Sequence, residues 1–135
     1  MTDDLVGCTV KAWVLLTGRP RRDRPAGGGA GGCDAVGFWW PFGSATPEQT
    51  EIDAFVAAIQ DADVQLTGLN FFAGDMPAGD RGLVSWIGRE DEFRANIDVV
   101  VAIGERLGTT AFNALYGNRI DGADAQAQDD LAVAN

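Results

Sequence analysis

VQLTGLNFFAGDMPAGDRGLVSWIGREDEFRANIDVVVAIGERLG, from Val64 to Gly108, runs from a strand pattern through a long irregular stretch into a helix pattern. Val64–Asn70 is a short apolar run that reads as a strand. Beyond Arg89, acids crowd a first helical turn, and Phe93, Ile97, Val100, Val101 and Gly104 recur on one face. Gly108 is placed to end that helix. Strand-to-helix connections in compact α/β units usually take roughly 2–6 residues, and longer irregular ones tend to be functional or disordered. The stretch between Asn70 and Arg89 is therefore expected to be a functional element.

The same alternation extends to both sides. DAVGFWWPF (34–42) reads as a buried strand ended by Pro41 and Gly43. A helix follows, with Thr46 as cap, Pro47 in the first turn, and Ile52, Phe55, Val56 and Ile59 on its inner face. TTAFNALY (109–116) is a further strand, and AQAQDDLAVAN reads as a helix barely begun. Strands alternating with helices of this length predict βαβ units and a parallel sheet, whose strands are apolar throughout because both faces are covered. Upstream, VGCTVKAWVLL (Val6–Leu16) reads as a strand. TGRPRRDRPAGGGAGG, with Pro20, Pro25 and clustered glycines, reads as loop.

Composition narrows the function classes. The chain has 135 residues, 46% hydrophobic and 22% charged, as expected for one globular domain with its own core. Its net charge of −10 is unevenly spread. Residues 1–24 carry five basic and three acidic side chains, and the remainder carries five basic against 17 acidic. An acidic body repels phosphate backbones, so no nucleic-acid partner is expected. There is no histidine, which excludes Ser-His-Asp triads, Cys-His pairs and imidazole metal ligands. Cys8 and Cys33 form no CxxC pair and read as small buried hydrophobes of a reducing compartment. Asp3 and Asp4 stand where a signal peptide would be basic, and no apolar run approaches the ~20 residues of a membrane span. A cytoplasmic protein with no membrane partner is the expectation.

Gly27, Gly29 and Gly32 satisfy GxGxxG, but the strand follows the glycines instead of preceding them, so no dinucleotide site is expected there. The nearby arginines read as a solvated cluster. In parallel α/β folds ligands bind beyond the carboxyl ends of the strands. That rule gathers Asn70, Asp75, Asp80, Arg81 and Asn113 on one rim as candidate substrate-binding residues, with Tyr116, Asn118 and Arg119 emerging beside them. Two roles are open to Asp75 and Asp80: orienting a small, oxygen-rich ligand, or capping turns around Gly74, Gly79 and Gly82. Phe71, Phe72 and Trp86 are expected to pack the loop, and Arg89 to pair with Glu92 or Glu90.

CDAVGFWWPF, GLNFFAGDMPAGDRGLVSWIGRE and NALYGNR resemble the first half of the hydroxypyruvate isomerase family, in the xylose-isomerase-like TIM-barrel superfamily. The likeness is strong over 33–135 and weak over 1–32. The fold it implies is α/β: a partial (β/α)8 barrel, about four βα units, forming a single truncated domain over 1–135. The activity it implies is isomerisation of a small hydroxy-carbonyl acid, hydroxypyruvate to tartronate semialdehyde, through an enediol. In the family two glutamates handle the proton and a divalent ion, magnesium, polarises the oxygens. Those carboxylates lie on later strands, so the resemblance carries no catalytic residue and no metal ligand onto this chain, and none of that ion is expected to be bound by this chain alone. Where relatives have an acid after Ala-Val, this sequence has Gly37. A TIM barrel takes ~250 residues; a truncated or frameshifted gene product, inactive alone, is one expectation. The rivals are a non-catalytic half-barrel that assembles with a partner or with itself through its open edge, and another sugar isomerase or epimerase of the superfamily. An endonuclease of abasic DNA is opposed by the acidic body.

Overall fold

The computed structural model describes residues 8–9 and 35–135. The remainder of the upstream strand, the Gly27–Gly32 motif, the arginine cluster and Cys33 lie outside the described residues. Strands β1 (Cys8–Thr9), β2 (Ala35–Phe38), β3 (Gln65–Asn70) and β4 (Ala111–Asn113) form one sheet in the order β1-β2-β3-β4, every pair parallel. Helix α1 (Gln49–Ala62) joins β2 to β3, α2 (Glu90–Leu107) joins β3 to β4, and α3 (Ala125–Ala134) follows β4. Sequential neighbours pairing in parallel make an arc of a (β/α) barrel; a doubly wound sheet would reverse its strand order partway.

The core lies between the sheet and the two long helices. Val36, Phe38, Leu66 and Leu69 of the strands meet Ile52, Phe55, Val56 and Ile59 of α1 and Val100 and Ile103 of α2. Phe38 and Phe55 touch edge to face, 5.5 Å between centroids. Two threonines bond carbonyls of adjacent strands: Thr67 Oγ1 donates to Val36 O (3.1 Å) and Thr109 Oγ1 to Leu66 O (2.8 Å).

Several expected details shift. The α1 cap is Glu48, not Thr46: its backbone N–H donates to the Glu51 carboxylate at 2.9 Å, which leaves Pro47 just before the cap. On α2 the buried stripe is Phe93, Asn96, Val100, Ile103 and Gly104. Ile97 is half-buried, and Val101 is 46% exposed. Hydrophobicity favoured Ile97 and Val101, but the inward positions are Asn96, whose amide has partners at Phe72 and Ala45, and Ile103, which joins the apolar core. Trp39 is 40% exposed, since β2 ends at Phe38 and the chain turns out of the sheet. β4 covers three residues, all exposed, because α3 packs beside the loops and not against this strand's flank.

Candidate functional site

Beyond the carboxyl ends of β2 and β3 lies a cavity of about 580 Å³. One wall is the post-β2 segment, with Trp39, Trp40, Phe42 and Gly43. The other is the post-β3 loop, Phe71 to Pro77, with Asp80 and Arg89 at its margin. The aromatic wall is continuous with the core: Trp40 meets Phe42 at 5.0 Å and Phe42 meets Phe55 at 5.6 Å. Trp40 Nε1–H donates to Ser44 O at 2.7 Å, so that indole is fixed in its wall.

The long loop after β3 is a rigid rim. Gly82 N–H donates to Ala73 O (2.9 Å), drawing the loop back on itself. Val84 and Ser85 donate from their backbones to Leu115 O and Tyr116 O, as a strand would to its neighbour. Ser85 Oγ–H also donates to Tyr116 O at 2.8 Å, and Asn118 Nδ2–H donates to Gly79 O at 2.8 Å. Leu83 and Ser85 are fully buried. From the far side Gln128 of α3 donates to Ser85 O and Asn118 O, and its own Oε1 accepts from Ile120 N–H.

The structure divides the sequence candidates. Asp75 and Asp80 line the cavity, but each also holds a turn: Asp80 Oδ2 accepts from Asp75 N–H at 2.7 Å, and Asp75 Oδ1 from Ala78 N–H at 3.2 Å. Gly74 is required beneath them. It has φ +87°, and a side chain there would strike Asp80. Arg81 does not line the cavity and donates to Met76 O and Asp80 O. Asn70 and Asn113 are paired in register at the ends of β3 and β4, outside the lining. Tyr116, Asn118 and Arg119 secure the rim and α3 instead of facing the cavity.

Arg89 enters the cavity wall with its charge engaged. Its Nε and Nη2 donate to both Glu92 oxygens at 2.7 and 2.9 Å, its guanidinium lies 4.7 Å over Trp86, and Nη1 stands 3.7 Å from Asp80. The Glu92 hydrogen bonds hold Arg89 charged above its ordinary range, against a smaller opposing effect of burial. Glu90 is held below the usual carboxylate range by backbone N–H groups, its own and that of Gly88.

Asn96 was missing from the sequence candidates. Fully buried on α2, it accepts from Phe72 N–H at 3.0 Å through Oδ1 and donates to Ala45 O at 2.8 Å through Nδ2. Its only sequence signal was a polar residue on the apolar side of an amphipathic helix. Among the described residues no three His, Cys, Asp or Glu side chains come together. The two carboxylates that line the cavity, Asp75 and Asp80, each hold a turn through one oxygen and have no third such group beside them, so these residues do not fit a divalent-ion centre. No described helix is long and apolar enough to cross a membrane.

Sequentially ordered parallel strands with interleaved helices, and a cavity beyond the strands' carboxyl ends, define part of a TIM-barrel α/β protein. No family model matches the chain. Two curated proteins, both named "Putative hydroxypyruvate isomerase", are similar to it. The one from Streptomyces coelicolor is 55% identical over 124 residues, which are 90% of this chain and 44% of that protein. The one from Homo sapiens is 33% identical over 115 residues, 84% of this chain and 39% of that protein. A crystal structure of AP endonuclease, family 2, from Brucella melitensis superposes with a TM-score of 0.59 at 25% identity, over 75% of this chain and 36% of that one. Most of the chain is thus similar to part of proteins named for hydroxypyruvate isomerase, on the fold of part of a TIM barrel, and it spans less than half the length of the curated relatives it matches.

Proposed function

We propose that this chain forms the substrate-enclosing part of a hydroxypyruvate isomerase-type barrel: it shapes and orients, and it does not itself move the proton. The observation that carries the reading is the cavity beyond β2 and β3, walled by aromatics and closed by a rim whose carboxylates are already committed to turns. The names of the two relatives support hydroxypyruvate as the ligand, and the family resemblance of the sequence implies tartronate semialdehyde as the product. That conversion moves a proton between adjacent carbons and needs a base near its working pKa, positioned on the substrate. Among the described groups lining the cavity, Asp75, Asp80 and Arg89 all have partners that fix them as structure. The 135-residue chain alone is therefore expected to bind without turnover, and the site of action is taken to be the cytoplasm. The test is a direct assay for tartronate semialdehyde with the purified chain, with and without magnesium. Turnover approaching that of a full-length relative would overturn the assignment of roles.

One observation favours a second reading, a half-barrel that assembles with a partner or with itself. β4 is an exposed parallel edge bearing Phe112 at 38% exposure, and the apolar hollow beside it is lined by Val101 and Gly104. Such an edge offers unpaired backbone groups to another strand. Sedimentation decides: a discrete dimer supports assembly with itself, and a compact monomer argues against that form of assembly.

A further inference from the structure

We propose that Asn96 is the positioning residue that fixes the spacing between the two loops walling the cavity, and with it the size of molecule the cavity admits. Ala45 lies three residues from Phe42 and two from Gly43, on the post-β2 wall; Phe72 is itself part of the post-β3 wall. Neither Phe72 N–H nor Ala45 O sits in a strand ladder, so each depends on a side chain or water for its hydrogen bond. Asn96 serves both from a fully buried position on the long helix α2. The amide has only one workable orientation, since the N–H must meet its oxygen and the carbonyl its nitrogen. Asparagine is a poor helix-interior residue, and an apolar residue at this core position would pack as well. What the amide adds is a simultaneous hold on two loops that are 27 residues apart in sequence. The helix thus acts as a spacer, and the two walls cannot separate without breaking one of these bonds.

The ligand part of this inference rests on the cavity being the substrate pocket; the loop coupling does not. The experiment compares wild type, Asn96→Asp and Asn96→Ala in the full 135-residue chain. Amide exchange is followed at Phe72 and across 42–48, corrected for intrinsic rates, from about pH 4 to about pH 8, a window that spans a carboxyl group raised by burial. In Asn96→Asp the protonated carboxyl group can still accept from Phe72 and donate to Ala45, whereas its ionised form repels the Ala45 carbonyl. Wild type is expected to stay protected throughout, Asn96→Ala to exchange about tenfold faster or more throughout, and Asn96→Asp to change from the first behaviour to the second as pH rises. Asp75, Asp80, Arg89 and Glu92 are common to all three proteins, so any drift they cause appears in all. Asn96→Asp behaving like Asn96→Ala at acid pH, or like wild type at neutral pH, overturns the proposal. Should Asn96→Ala not fold, the pH series of Asn96→Asp decides alone. Titration of hydroxypyruvate followed by tryptophan fluorescence completes the test. Binding by wild type that weakens in Asn96→Asp only at the higher pH supports the link between wall spacing and ligand binding, and binding unchanged across that series overturns it. No binding by wild type overturns the substrate reading and leaves the loop coupling to the exchange result.

Discussion

Gly82 and Leu115 pack backbone against backbone: a side-chain carbon on Gly82 would overlap the Leu115 carbonyl. Gly82 also has φ +131°, which L side chains rarely adopt. This contact is what lets Val84 and Ser85 bond to Leu115 and Tyr116, and so what turns a long irregular loop into a fixed rim. Gly82→Ala is expected to destabilise the chain by about 3 kcal/mol, since the obstacle is backbone and cannot rotate away. Urea unfolding checks this, with a lowered midpoint at unchanged slope as the expected outcome.

Gly104 offers the opposite case. A carbon there would stand 2.6 Å from Phe112 Cζ, the far end of a partly exposed side chain that also meets Phe71 edge to face, and 3.2 Å from the Thr109 carbonyl oxygen. Replacing a glycine in the last turn of α2 by alanine gains up to about 1 kcal/mol in propensity, against some lost packing of the ring. Gly104→Ala is therefore expected to change stability by less than about 1 kcal/mol. A thermal melt showing a severe loss would mean that Phe112 is held more firmly than its exposure implies.

The frame of the molecule was legible in the sequence because period and punctuation agreed. Leu66 and Leu69 in a short run, the Ile52–Ile59 stripe, and Gly108 closing α2 in a left-handed turn each announce one element. Sites were less legible, because polar residues at strand ends have two uses that spacing cannot separate. Asp75 and Asp80 reach the cavity and cap turns at once, Arg81 serves only backbone carbonyls, and Asn96 works from inside a helix where hydrophobicity alone would not look. Trp39 shows the complementary error. Apolar identity suggested burial, but the strand stopped at Phe38 and the ring became cavity wall.

Gln128 is the one fully buried residue of α3, and it meets the rim through several bonds at once. Gln128→Leu keeps the bulk but strands Ile120 N–H and the Ser85 and Asn118 carbonyls. A loss of about 3 kcal/mol is expected, since buried unsatisfied groups cost roughly 1–3 kcal/mol each and some will find water. Exchange in residues 125–134 should rise before that in α2, because the damage is confined to the docking of the last helix. Simultaneous loss in both helices would show that α3 is part of one cooperative core.

Tyr116 is the chain's single tyrosine, so its titration can be read directly by ultraviolet absorbance. Its hydroxyl donates to Asp129, which also receives Arg119 Nη2 at 2.8 Å, while the Arg119 guanidinium lies 5.2 Å over the Tyr116 ring. The hydrogen bond to Asp129 raises the Tyr116 pKa above its ordinary 10.0. The same bond, followed by that from Arg119, lowers Asp129 below 3.8. Both shifts favour the folded arrangement between those two ordinary values. The Asp129 contribution is present above 3.8 and is lost as pH falls through the lower folded value. The Tyr116 contribution is present below 10.0 and is lost as pH rises through the higher folded value. Asp129→Ala should bring the tyrosine midpoint down toward its ordinary value, because it removes the hydrogen bond that raises it. An unchanged midpoint would mean that the Tyr116–Asp129 contact does not persist in solution.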